Sequence, residues 1–235
     1  MILYVNGDSH SAGAEALNNH AFARDDPLYF ALGRQPHPDN IRVSYGCQLA
    51  NKLGAILEVD AESASSNNRI VRTTYKYLED NTPDLVVIGW ATWEREEWEY
   101  NTKYYQVTAS GTDSVPRDLN DKYKQWVIEQ SDPHVIKQKV NTTHTQIIEL
   151  HRVLTSKNIP HLFFNTFTSF QTVDQQEQWN NCYVDPYSDS TTYYHWLIQN
   201  GYKTVKPNSY HFGPDAHDAW SEFLYQNYIQ KLLTL

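Results

Sequence analysis

Ile2-Leu3-Tyr4-Val5-Asn6-Gly7-Asp8-Ser9-His10-Ser11 is a short apolar run that stops in a glycine and a string of small polar residues. The apolar part reads as a buried strand. Gly7, Asp8 and Ser9 are all turn formers. A strand that ends this way sets a serine hydroxyl at the carboxyl edge of a sheet, where the chain turns. The Ser9 N–H then points into the same space as its hydroxyl, so nucleophile and oxyanion donor can be one residue. The same three residues also suit an ordinary turn, and the rest of the chain has to decide between the two.

Beyond that strand the pattern alternates. Tyr45–Leu53 has helical spacing and stops at Gly54, and Ala55–Val59 is a second strand. Asn67 to about Leu78 reads as a helix opened by Ser65, Ser66 and Asn67, all competent caps. Asp84-Leu85-Val86-Val87-Ile88-Gly89-Trp90 is the clearest buried strand, a continuous run of the kind parallel sheets use. Val135–Leu154 is a long amphipathic helix, Pro160–Phe164 a fourth strand, and Ala216–Leu233 a closing helix. The stretch from about Asn18 to Asn40 reads as loop or short helices. Strands separated by helices predict a parallel sheet with helices on both sides, as in doubly wound α/β folds. The expectation is one domain over 1–235, with polar and aromatic insertions at about 93–133 and 171–194. Insertions in such folds usually follow strand ends, where ligands also bind.

Composition narrows the partners. The chain has 235 residues, 28 acidic against 19 basic, and a formal charge of −9, a field that disfavours nucleic acid and anionic lipid. Neither a nucleic-acid nor a membrane partner is expected. Cys47 and Cys182 fit no ligand spacing and read as reduced, with a mutual disulfide left open. No metal or other cofactor is expected. The first residues read as a strand rather than a signal peptide, and no stretch is long enough to span a membrane, so a cytoplasmic location is the default expectation.

A second signal lies near the C-terminus, in Asn208-Ser209-Tyr210-His211-Phe212-Gly213-Pro214-Asp215-Ala216-His217. A histidine on a loop before a terminal helix can reach a sheet edge and act as general base, provided an acceptor orients its other nitrogen. Together the two signals resemble the SGNH hydrolases, the GDSL esterase/lipase superfamily, whose blocks occur here in order over nearly the whole chain. The resemblance implies a three-layer α/β/α fold with a flavodoxin-like, doubly wound parallel sheet, Ser9 as nucleophile and His211, not His217, as base. At the family's Asp-x-x-His block this chain carries Asn208, which the resemblance makes the residue that orients His211; Asp215 is a remote substitute. In a triad built on aspartate, such a change costs on the order of 10⁴ in kcat.

The glycine of the second block is matched by Ala64, within Ser63 to Ile70. Its N–H would join that of Ser9 in the oxyanion hole, a mild departure if the local φ is negative. The third block, normally Gly-x-Asn-Asp, is Gly89-Trp90-Ala91-Thr92 here. Ala91 removes a side-chain donor worth roughly 3 kcal/mol of barrier, unless Thr92 or Arg95 replaces it. Asp8, His10, Asn67, Trp90 and Arg95 complete the expected substrate-binding set. The expected substrate is a small acyl ester, such as an acetyl group on a sugar.

Two other readings compete. Asp8-x-His10 also resembles the opening of calcineurin-like metallophosphatases, but their later Gly-Asp-x-x-Asp-Arg-Gly and Gly-Asn-His-Glu are missing. A degenerate SGNH fold that binds a carbohydrate or a protein is the non-enzymatic alternative. There Trp90, Trp93, Trp98, Tyr100, Tyr104 and Tyr105 would form a sugar-stacking wall, unless they simply pack on one another.

Overall fold

The computed structural model describes residues 1–17, 34–109 and 115–234. Most of the 18–40 stretch read as loop therefore lies outside the described residues. Its end forms a short helix, α1 (Pro38–Val43).

Four strands make a wholly parallel sheet: β1 (Ile2–Gly7), β2 (Ile56–Val59), β3 (Leu85–Trp90) and a later strand, His161–Asn165. Between β3 and that last strand lie two short antiparallel strands, β4 (Glu96–Tyr100) and β5 (Lys103–Val107), so His161–Asn165 is β6. The sheet order is β2-β1-β3-β6, the flavodoxin-like order that the resemblance implied. Beyond β6, Phe163 N–H donates to Cys182 O at 2.8 Å and Val184 N–H to Phe163 O at 2.9 Å. That parallel bridge covers the edge with a segment too short to count as a strand.

Side chains alternate between the two faces, and each face has its own core. On one side Leu3, Val5, Leu85, Val87, Leu162 and Phe164 pack against three helices: α2 (Tyr45–Leu53), Tyr193–Gln199 and Pro214–Leu224. On the other, Tyr4, Val86, Ile88, Trp90 and Phe163 meet α3 (Asn67–Asp80) and Pro133–Ser156. With Asn120–Glu129 as α4, these later helices are α5 (Pro133–Ser156), α6 (Tyr193–Gln199) and α7 (Pro214–Leu224). Three layers follow from one property of strands, their period of two.

The caps act where the sequence puts them. Ser66 accepts from Arg69 N at the start of α3, and Gly54 ends α2 at φ 59. The closing helix is interrupted: α7 ends at Leu224, a π turn runs over Tyr225–Ile229, and Gln230–Leu233 is helical again. The described part of the 93–133 stretch holds more regular structure than its lack of periodicity predicts. Trp98, Val107, Val115, Tyr123 and Trp126 form a small third core; of the six aromatics weighed as a sugar-stacking wall, Trp98 packs here, Trp90 and Trp93 pack on the main core, and Tyr104 is exposed. Arg72 of α3 grips Glu97 of β4 with two bonds, at 2.8 and 2.7 Å, and ties the hairpin to the main body. No helix among the described residues is long and apolar enough to cross a membrane. Both cysteines are free thiols.

Candidate active site

β1 and β3 end side by side, Gly7 opposite Gly89, and the site is built where they stop. After Gly7 the chain winds into tight turns, with Ala12 N–H on Asp8 O and Ala14 N–H on Ser9 O, both at 2.9 Å. Gly7 has φ 154, and a Cβ there would lie 2.1 Å from Ser11 Oγ and 2.7 Å from Gly89 O. Glycine is therefore demanded twice, by conformation and by close approach. Ser11 occupies that gap, held by the Tyr45 hydroxyl at 2.7 Å.

Ser9 Oγ lies 2.8 Å from His211 Nε2, and His211 Nδ1 lies 2.7 Å from Glu15 Oε2. An ionised carboxylate only accepts, so Nδ1 carries the hydrogen and Nε2 is left bare for the serine proton. Ser209 Oγ donates to the same Glu15 oxygen at 2.8 Å and accepts from His211 N–H at 3.1 Å. Lys206 Nζ holds the other Glu15 oxygen. His211 first, with Lys206 and Ser209, lowers the Glu15 carboxyl to about 2, against the opposing effect of partial burial.

The expected role of Asn208 is corrected by this geometry. Asn208 is exposed, has no side-chain hydrogen bond among the described residues, and turns the loop at φ 63. Asp215 lies exposed in the first turn of α7, also without contact to His211. Glu15, six positions after Ser9, was missed because nothing in Gly13-Ala14-Glu15-Ala16 marks an acid with a partner 196 residues away. Its φ of 62, uncommon for glutamate, is a backbone property invisible in sequence.

Asp8, Ser9, His10, Ala64, Thr92, Arg95 and His211 line one cavity of about 460 Å³. Arg34, Ser63, Thr108, Phe167 and Tyr210, none of them expected, line it too. Ala64 sits at φ 62, so its departure from glycine is not mild: the left-handed turn is kept with a Cβ in place. The Ser9 and Ala64 N–H groups have no acceptor among the described residues. Asp8 Oδ1 accepts from His10 N–H at 3.0 Å and Oδ2 from Arg95 Nη1 at 3.1 Å, which makes Asp8 and Arg95 braces of the turn that carries Ser9. His10 is buried behind His211, ring centroids 5.2 Å apart, and burial lowers it to about 4.

Two expected substrate-binding residues lie elsewhere. Trp90 is fully buried, edge-on to Phe163 in the core. Asn67 clamps Ala91, donating to its carbonyl at 3.0 Å and accepting from its N–H at 2.9 Å. That clamp shapes the loop after β3 and takes up the Ala91 N–H. His217 is a core residue whose Nδ1 accepts from Tyr45 N–H at 3.2 Å.

No protein-family model and no curated protein sequence matches the chain. Among solved structures it is similar to a carbohydrate esterase family 2 enzyme with a carbohydrate-binding domain, from Myceliophthora fergusii. That likeness has 16% identity and a TM-score of 0.43, over 99% of this chain and 66% of that one. An acetyl xylan esterase is similar at 13% identity and TM-score 0.44, over 97% of this chain and 100% of the other. A lipolytic protein of the G-D-S-L family from Desulfitobacterium hafniense is similar at 11% and 0.37, over 96% and 99%. The chain thus spans just under two thirds of the first of these and the full length of the second. Likenesses at this level leave function to be argued from the site itself.

Proposed function

We propose that the protein is a serine hydrolase of carboxylic esters, with Ser9 as nucleophile, His211 as general base and Glu15 as the carboxylate that orients His211. The observation that carries this reading is the unbroken contact from Glu15 through His211 to Ser9, at 2.7 and 2.8 Å. It also weighs against a degenerate binding module, which has no need of a poised serine.

In this reading His211 Nε2 takes the hydroxyl proton as Ser9 Oγ attacks the ester carbonyl. The oxyanion is held by the Ser9 and Ala64 N–H groups, with Thr92 beside them. His211 then gives its proton to the departing alcohol, and an acyl group remains on Ser9. A water molecule, deprotonated by His211, releases the acid and restores the serine. The side-chain donor absent at Ala91 limits the hole to about two donors, which suits esters rather than amides. A cavity of about 460 Å³ suits a small acyl group on a compact alcohol. Phe167 and Tyr210 meet edge-on at its rim, centroids 5.3 Å apart, and offer apolar faces to a sugar ring. An O-acetylated carbohydrate fits those features.

A fluorophosphonate probe combined with aryl acetate turnover tests the reading. Wild type should be labelled, and Ser9→Ala should lose both label and turnover, by about 10⁴-fold or more. Full turnover in His211→Ala, or an unlabelled wild type, overturns it.

A further inference from the structure

At the opposite end of β6 from the serine, about 13 Å along the strand, three side chains from separate parts of the chain converge. They are His151 on α5, His161 at the start of β6, and Cys182 in the segment that bridges the open edge of the sheet. Their donor atoms all lie within 4.8 Å of one another. His161 is buried, while the other two reach solvent in part. None of the three takes part in the chemistry above.

The hydrogen bonds set the direction of the lone pairs. His161 Nδ1 lies 2.8 Å from Ile159 O. A carbonyl only accepts, so Nδ1 carries the hydrogen and Nε2 is bare. That bare nitrogen points at His151 Nδ1, 2.7 Å away. An imidazole that gives its far N–H to a backbone carbonyl is the usual outer arrangement of a metal-binding histidine. Cys182 is delivered to the same point by two consecutive left-handed residues, Asn180 at φ 48 and Asn181 at φ 67. Its backbone is pinned by Cys182 N–H on Trp179 O and Phe163 N–H on Cys182 O, both at 2.8 Å. Its Sγ has only a weak contact, 3.9 Å from Asn180 O.

We propose that His151 Nδ1, His161 Nε2 and Cys182 Sγ form a site for a zinc-class divalent cation, which clips the sheet-edge segment to α5 and β6. Two imidazoles and a thiol match the nitrogen and sulfur preference of zinc, with a fourth position left to water. On binding, the thiol proton leaves to solvent and the thiolate joins the metal. The His151 proton moves from Nδ1 to Nε2 by exchange with water, so both rings present lone pairs. Tetrahedral ligation sets the two nitrogens roughly 3.3 Å apart, so the rings separate by about half an ångström. The ligands are 10 and 21 positions apart along the chain, a spacing that matches no linear metal motif.

The test is a titration of the chelator-stripped full chain with Zn²⁺, and separately with Co²⁺ as a spectroscopic stand-in. One Zn²⁺ should bind per chain, and Co²⁺ should give a thiolate charge-transfer band in the near ultraviolet. Cys182→Ser and, independently, His151→Gln should weaken Zn²⁺ at least 100-fold and remove the band, with circular dichroism showing that each is folded. His151 is only partly buried, so its variant keeps the test usable should Cys182→Ser not fold. Cys47→Ser should bind as wild type does, and ester turnover should be unchanged in all three. Absence of saturable Zn²⁺ binding overturns the proposal. So does a Co²⁺ band that survives in both ligand variants, or one that disappears in Cys47→Ser.

Discussion

Glu15 and Asn208 divide between them what the sequence assigned to one residue. Asn208 keeps the turn chemistry of an asparagine at φ 63, while the charge that orients His211 comes from Glu15. Glu15→Gln should therefore lower kcat on an aryl acetate by about 10³- to 10⁴-fold with KM little changed, because a neutral amide can settle on either imidazole tautomer. Asn208→Gly should leave kcat within about twofold, since only a left-handed turn is required there. Equal losses in the two variants would reverse the assignment. Ala64, at φ 62, carries strain that a glycine lacks. Ala64→Gly should raise unfolding stability by about 0.5–1 kcal/mol in urea and retain turnover.

Elements place these residues, and some elements were easier to read than others. β1 and β3 announce themselves because both faces are buried and every position except Asn6 is apolar or glycine. The hairpin of β4 and β5 gave a weaker signal, since its Glu96-Glu97-Trp98-Glu99 run hides the alternation. Its two-residue turn, Asn101-Thr102, has φ 49 and 62, the mirror-image geometry that hairpins prefer. A β-branched residue is strained there, so Thr102→Gly should stabilise the protein by about 0.5–1 kcal/mol in thermal or urea unfolding. The Asn67 clamp is the opposite case, a helix residue that serves a strand end. Asn67→Ala leaves the buried Ala91 N–H and C=O unpaired and should cost about 2–4 kcal/mol. It should also raise KM for aryl esters, because Thr92 follows directly. An unchanged melting temperature would show that the clamp is dispensable.

Across the whole molecule, buried histidines and the Glu15 carboxylate make stability depend on pH in two windows. Burial lowers His10 to about 4 and His217 to about 3, against an ordinary 6.5. Below 6.5 the unfolded chain binds protons that the folded chain refuses, so stability falls as the pH drops toward those lowered values. Glu15, lowered to about 2 chiefly by its bond to His211, contributes stability that is complete above 4.5 and lost as the pH falls toward 2. Urea unfolding of wild type should weaken progressively below about pH 6.5. Glu15→Gln should show a shallower decline in the lower window, and parallel curves there would refute the Glu15 contribution. The strand–helix alternation and the turn after β1 were legible in the sequence, because each depends on residues a few positions apart, while the sheet order and the choice of His211 over His217 came with the resemblance of its blocks to a family. Only tertiary structure decided that Glu15 meets His211, that Trp90 is core, and that His151, His161 and Cys182 meet. Those facts depend on the C-terminal loop folding back on the first turn and on an edge segment closing the sheet. Contacts between distant positions leave no periodic mark on the chain that makes them.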